Sequence, residues 1–371
     1  MHDLSVISGL FDMRADFVHA HPYGSGHIND TYCAWYDAAG QRIRYIHQRI
    51  NHRVFANPVS LMENIARVTS HALQLLREQG HPEAHRRTLT CIPAIDGKPY
   101  AIDDSGNVWR TYPFIERARG HDVLESPAQA YQAALAFGGF QKLAAGLPGE
   151  RLHETIANFH HTRKRYEVLM HALEIDSHHR AAEVGKEIDF VRSHEADCSI
   201  LVDQIAAGVI PERVTHNDTK LNNVLLDDVT AEGVCVIDLD TTMPGCALYD
   251  FGDMVRSAVP RLAEDATDLK SMDLRLDMFR ALLSGFTRAA DFLNQAEKNH
   301  LACAGKLLTL ECGIRFLTDH LNGDVYFKIK RPNHNIDRCR NQFAAVKIME
   351  NRMSELEDMV DSCLQENKQL S

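Results

Sequence analysis

Four polar side chains stand close enough in sequence to share one reaction: Asp218, Lys220, Asn223 and, after the apolar run Val234-Cys-Val-Ile, Asp238. Their types suit metal-assisted phosphoryl transfer, which asks a protein mainly for positioning and charge. One carboxylate must orient an acceptor hydroxyl and take its proton. An amide oxygen and a second carboxylate must hold Mg2+ against the phosphates. In protein-kinase catalytic loops the Asp and the metal-binding Asn stand five residues apart, and Asp218 and Asn223 have that spacing. Lys220 is placed to neutralise charge on the group in flight. Magnesium favours carboxylate oxygens and retained water, which suits Asn223 with Asp238, twenty residues beyond Asp218. A lone His-x-Asp is often a capped turn; the joint pattern of His216, Asp218, Lys220, Asn223 and Asp238 points to catalysis.

Asp250-Phe-Gly252 spells the protein-kinase metal triplet. It comes 32 residues after Asp218 and does not end an apolar strand. Asp238 is therefore read as the metal ligand, and Asp250 as a brace that accepts backbone hydrogen bonds from the catalytic loop.

The elements that must position these residues follow from pattern. Residues 16–21, 31–36 and 42–50 read as strands, with a loop at Gly24-Ser25-Gly26 whose backbone N–H groups would cradle phosphates. The third glycine of the kinase pattern is replaced by Asn29. Asn57-Pro58 starts a helix to Arg77, with Leu61, Ile65, Val68, Ala72, Leu75 and Leu76 at helical spacing. Further strands are expected at 88–92, 99–102 and 107–112. Ser126-Pro127 opens a second helix. Residues 158–207 read as polar and helical, and the chain from Tyr249 onward is helical again, with 337–365 as one long amphipathic helix. The order predicts an α+β, protein-kinase-like, two-lobed fold. Residues 1–115 form a β-rich nucleotide-covering lobe, and 116–371 a mainly helical lobe holding the catalytic loop and acceptor site.

Composition narrows the partners. A formal net charge of −11 over 371 residues argues against nucleic acid or an anionic membrane as the main partner. No apolar run approaches the ~20 residues of a membrane helix, and the N-terminus does not read as a signal peptide. Nine scattered cysteines without a Cys-x-x-Cys pair read as free thiols, which fits a cytoplasmic protein. A monomer is expected. His160-His161 and His178-His179 read as solvated surface.

The segments 216–227, 236–240 and 248–253 resemble the aminoglycoside phosphotransferase/choline kinase superfamily. With Pro22–Thr31, Tyr45–Asn51 and Glu311–His320 added, the chain is most similar to bacterial N-acetylhexosamine 1-kinases. The resemblance implies an ATP- and Mg2+-dependent sugar 1-kinase. It implies Asp218 as base, Asn223 and Asp238 as metal ligands, and sugar contacts from His27, Arg315 and Tyr326. Kinases usually carry a third-strand lysine for the nucleotide phosphates; this chain has Arg49 there, with Glu63 on the next helix as its expected ion partner.

Two other functions compete. One is a kinase of the same fold acting on an aminoglycoside, choline or homoserine, for which a cationic acceptor would want an acidic, aromatic-lined pocket. Arg315 and Lys328 argue against such a pocket. The other is a catalytically dead nucleotide-binding regulator, against which the complete set of Asp218, Asn223 and Asp238 counts.

Overall fold

The computed structural model describes residues 2–24, 26, 28–123 and 125–370; Ser25 and His27 lie outside the described residues. The chain divides into two compact units. The first comprises 1–119, 143–157 and 225–244, and the second 120–142, 158–224 and 245–371.

In the first unit α1 (Leu4–Ser8) precedes three long strands, β1 (Asp16–Pro22), β2 (Asp30–Ala38) and β3 (Gln41–Arg49). After α2 (Pro58–Glu78) and the single turn α3 (Ala84–Arg87) come β4 (Ala101–Ile102), β5 (Val108–Pro113) and β6 (Ala118–Arg119). The antiparallel sheet has order β1-β2-β3-β5-β4. One face packs Ala34, Tyr36 and Trp109 against Leu4, Ile7 and Phe11. As expected, Asn57 caps α2, its side chain accepting from the Ser60 N–H at 3.1 Å. Residues 88–92 carry β-formers but make no strand; Ile92 reaches the sheet through one backbone bond to the Thr111 carbonyl. An isolated antiparallel bridge joins Phe11 to Ala94 outside the strands.

The second unit is helical. It holds α4 (Pro127–Ala144), α5 (Thr162–Ile175), α6 (Gly185–Ser193), α7 (Ile200–Ala206) and the short strand β7 (Arg213–Thr215). Strands β8 (Val224–Asp227), β9 (Gly233–Val236) and β10 (Met243–Gly245) come next in the chain and lie mainly in the first unit, where β6, β8 and β9 make a small sheet. Then come α8 (Ala247–Ala258), α9 (Leu276–Ala289), α10 (Gln295–Asn299), α11 (Leu301–Leu321), α12 (His334–Asn351) and α13 (Met353–Leu370). A core of Leu169, Val191, Leu310, Ile314, Leu317, Cys339 and Phe343 joins α5, α6, α11 and α12. Helix α8 approaches α11 at Gly252, where a Cβ would come within 2.6 Å of the Ala304 carbonyl oxygen.

The long terminal helix expected over 337–365 is two helices. Arg352 leaves helical geometry (φ −112°, ψ 14°), and its guanidinium turns to Asp273 and Glu355. The change of direction lets α13 lie on α9, where Asn367 donates to the Thr287 hydroxyl at 2.9 Å. All nine cysteines are free thiols. Among the described residues no helix is long and apolar enough to cross a membrane.

Candidate active site

The candidate catalytic loop leaves β7 at Thr215 and turns sharply at Asn217, whose φ of 64° is left-handed. Asn is one of the few residues that adopt that geometry at low cost. Its side chain stabilises the turn locally: Oδ1 accepts from the Thr215 hydroxyl at 2.9 Å, and Nδ2 donates to the Thr215 carbonyl at 3.2 Å. Gly245 lies against this turn. A Cβ there would sit 2.3 Å from the Thr215 hydroxyl and 2.7 Å from Asn217 Oδ1, so no larger residue fits without moving the loop.

Asp250, in the first turn of α8, holds the loop from below. Its Oδ1 accepts from the Asn217 N–H at 2.7 Å and its Oδ2 from the His216 N–H at 3.0 Å. Gln141 of α4 donates to Oδ2 as well, and the Thr219 hydroxyl donates to the Asp250 carbonyl at 2.6 Å. Burial pushes the Asp250 carboxyl up; the His216 ring and these donors oppose it. The brace expected of Asp250 is what the structure contains. Phe137 and Phe140 of α4 meet the buried His216 ring edge-on, at centroid distances of 5.3 and 5.9 Å.

Asp218 emerges from this rigid base with a quarter of its side chain exposed, and Lys220 Nζ stands 3.0 Å from its Oδ1. Burial raises the Asp218 carboxyl, but Lys220, His216 and Arg256 together hold it below its ordinary value. Asp218 in turn raises the Lys220 ammonium, with Asp253 adding to the effect. Asn223 donates from Nδ2 to the Asp218 carbonyl at 2.9 Å, which fixes the direction of its amide.

Asp238 stands just past β9 in the first unit, exposed and left-handed (φ 59°), at the start of a single 3₁₀ turn. Two residues on, Asp240 is buried and both its oxygens are engaged, one by Arg110 of β5 and the other by Asn29. Arg110 itself is buried, with its Nε donating to Gln48 of β3 at 2.9 Å.

The expected Arg49–Glu63 pair does not form. Arg49 alternates to the sheet face opposite Gln48 and binds Asp30, its direct cross-strand neighbour, at 2.6 Å. Glu63 points outward from α2 and meets His153 Nε2 at 2.8 Å. The inward position belongs to the next residue, Asn64, which donates to the carbonyls of His153 and Thr242 and accepts from the His153 N–H. The period of α2 gives this result, because Leu61, Asn64, Ile65 and Val68 share its buried face.

In the second unit α11 carries Glu311, Arg315 and Asp319 at four-residue spacing, so all three lie along one stripe. Asp319 accepts the backbone N–H groups of Val325, Tyr326 and Phe327. That fixes the segment whose rings flank Arg315: its guanidinium lies 4.8 Å from Phe159, 5.5 Å from Phe327 and 5.9 Å from Tyr326. Burial and the like charge of Arg315 push the neighbouring Arg165 guanidinium below its ordinary value. Glu311 is buried. Its Oε1 accepts from His160 Nδ1 and its Oε2 from the Thr162 hydroxyl, both at 2.7 Å. His160 is thus no surface residue, contrary to the expectation from its polar stretch; His178 and His179 are exposed.

Sequence reasoning gave no structural role to Arg110, Asn64, Asn29 or Glu311. Only Glu311 left a signal, as an acid inside an apolar helix. The others are ordinary polar residues whose partners lie far along the chain.

A sheet with one long helix, followed by helices that brace an Asp–Asn loop from the first turn of a helix, is the kinase-like α+β fold of small-molecule phosphotransferases. The sequence profile of the phosphotransferase enzyme family (APH) matches residues 19–291, and the chain belongs to that family. Similar solved structures share the fold at low identity. An aminoglycoside phosphotransferase from Alicyclobacillus acidocaldarius has a TM-score of 0.62 at 12% identity, covering 98% of this chain and 97% of that one. A choline kinase from Cryptosporidium parvum has a TM-score of 0.54 at 11% identity, covering 91% and 90%. A spectinomycin phosphotransferase in complex with ADP and spectinomycin has a TM-score of 0.52 at 12% identity, covering 94% and 96%.

Proposed function

We propose that the protein transfers the γ-phosphoryl group of ATP to the anomeric hydroxyl of an N-acetylhexosamine, N-acetylglucosamine or N-acetylgalactosamine, giving the sugar 1-phosphate. The observation that carries the acceptor class is the pairing of like charges beside an aromatic wall. Arg315 and Arg165 are near enough to repel, and Arg315 is flanked by Phe159, Tyr326 and Phe327. Such a place favours electron-rich oxygens and disfavours an ammonium-bearing acceptor. The depressed Asp218 carboxyl supports the same reading, since an anomeric hydroxyl is more acidic than an ordinary alcohol and a weak base suffices.

In this reading Asp218 orients the hydroxyl and takes its proton as the sugar oxygen bonds to phosphorus and the bond to the ADP oxygen breaks. Lys220 turns from Asp218 toward the charge on the transferring group. Gly24, Ser25 and Gly26 cover the nucleotide phosphates, and Arg315, Tyr326 and His27 contact the sugar. ATP as donor is supported by the ADP complex of the spectinomycin phosphotransferase. Arg49 and Glu63 are not proposed as a phosphate-binding pair, since each has another partner.

Asn223 and Asp238 would hold Mg2+. The donor set suits a hard cation. Asn223 spends its N–H2 group on the Asp218 carbonyl, which leaves the oxygen as the ligand atom. Asp240 and Asp250 each have both oxygens engaged by protein donors, so neither is proposed as the ligand. The metal would supply charge neutralisation at the phosphates.

An ADP-release assay over N-acetylhexosamines, aminoglycosides, choline and homoserine tests the acceptor. Turnover is expected with N-acetylglucosamine or N-acetylgalactosamine. No turnover with either, or turnover with choline alone, would sink the proposal.

A further inference from the structure

His160 lies 58 residues before Asp218 and was not expected near the chemistry, yet it is buried in the second unit. Its two ring nitrogens face two acceptors. Nε2 is 2.8 Å from the Asn217 carbonyl oxygen, and Nδ1 is 2.7 Å from Glu311 Oε1. A carbonyl oxygen only accepts, so Nε2 carries a hydrogen. Glu311 Oε2 already accepts the Thr162 hydroxyl, and an ionised Glu311 accepts at Oε1 too, so Nδ1 carries the second. The ring is then an imidazolium in a buried ion pair. Phe159 and Tyr249 pack on it at centroid distances of 4.6 and 5.1 Å.

The peptide that His160 holds is the one joining Asn217 to Asp218. Asp250 already fixes the N–H of Asn217, and His160 fixes its carbonyl. Both polar groups of the residue before the base are therefore held, from different elements. Glu311 sits one helical turn from Arg315 on α11, so the ion pair joins the helix facing the proposed sugar to the loop carrying the base.

We propose that His160 is a positioning residue for catalysis: seated between Glu311 and the Asn217 carbonyl, it sets the direction of Asp218 and ties it to the acceptor-facing stripe of α11. This rests on the reading of Asp218 as the base. A misplacement near 1 Å at a reacting group is worth on the order of 100-fold in rate, which sets the scale of the effect.

The test uses the full chain with MgATP and N-acetylglucosamine. His160→Ala is expected to lower kcat by on the order of 10–100-fold, with the KM for ATP and the KM for sugar within about twofold of wild type. His160→Gln can still donate to the Asn217 carbonyl and is expected to recover a large part of that loss. Wild-type kcat in His160→Ala, or equal defects in the Ala and Gln variants, would overturn the proposal. Should the variants fail to fold, the wild-type protein still decides. Side-chain 15N NMR at pH 7 is expected to show both His160 nitrogens protonated, and a ring with one bare nitrogen would overturn it. That spectrum needs no turnover, so failure of the sugar assignment and failure of this proposal are separable.

Discussion

The catalytic loop of the second unit and the Asp238 loop of the first are built on one plan with different anchors. Each follows a short strand, each passes through a left-handed residue, Asn217 or Asp238, and each is held by a buried carboxylate. In the catalytic loop the anchor Asp250 comes from a distant helix and grips backbone N–H groups. In the Asp238 loop the anchor Asp240 is two residues away and grips side chains, Arg110 and Asn29. A backbone-gripped loop has its peptide planes fixed whatever its side chains are. A side-chain-gripped loop depends on the sheet that supplies its partners. The difference would suit the proposed base, which must be aimed, and the proposed metal ligand, which must accommodate an ion.

The largest effect is expected at Asp218 and Asp238. Asp218→Asn should lower kcat by about 100- to 10,000-fold, the range for a lost general base. Asp238→Asn should abolish Mg2+-dependent turnover while nucleotide binding without metal, measured by titration calorimetry, survives. Unchanged turnover would move the metal role to Asp250.

The two anchors should differ next. Asp240→Ala leaves the Arg110 charge buried and alone, and should destabilise the protein by about 3–5 kcal/mol in urea unfolding. Asp250→Ala strands the His216 and Asn217 N–H groups. At about 1–3 kcal/mol for each buried group left unsatisfied, it should destabilise too, but with a larger fall in kcat than Asp240→Ala. Equal kcat losses would remove the distinction between the loops.

A smaller effect is expected from charge. Lys220 is the first of the groups that hold Asp218 below its ordinary value. In Lys220→Met the acid limb of kcat/KM should move to higher pH. No movement would show that Lys220 does not tune the base.

The smallest is the pH dependence of stability at His160. Burial opposes its charge, but Glu311 and the Asn217 carbonyl raise its folded value. The stabilisation is therefore complete below about pH 6.5, the unfolded value, and is lost as pH rises through the folded one. Wild type should lose its Tm advantage over His160→Gln across that rise, and a constant gap would refute the charged pair.

Much of the candidate site could be proposed from sequence because it is local. Asp218, Lys220 and Asn223 lie within six residues, and Asp250 could be separated from Asp238 by asking which one ends an apolar strand. The strands at 16–22, 30–38 and 41–49 and the cap at Asn57 announced themselves by alternation and by turn chemistry. Arg49 shows where locality fails. Its place on the third strand was correct, but a strand sends neighbouring side chains to opposite faces, and its partner was the residue across the ladder. Thr88–Ile92 had β-forming residues and found no ladder beyond one bond, since propensity makes no strand without a neighbour.

The adjacent histidine pairs draw the line most clearly. His160-His161 and His178-His179 look alike in sequence, polar and helix-flanking, and nothing nearby distinguishes them. The sequence by itself determined the class of chemistry, because phosphoryl transfer needs a carboxylate, an amide and a second carboxylate at spacings that short loops preserve. Only the tertiary structure decided that His160 turns inward, that Glu311 meets it from 151 residues away, and that Arg110 rather than Arg49 is the buried arginine of the sheet. Those choices rest on which charges meet after folding. A buried charge is tolerable only with a partner, and the partner's identity is a property of the packed core.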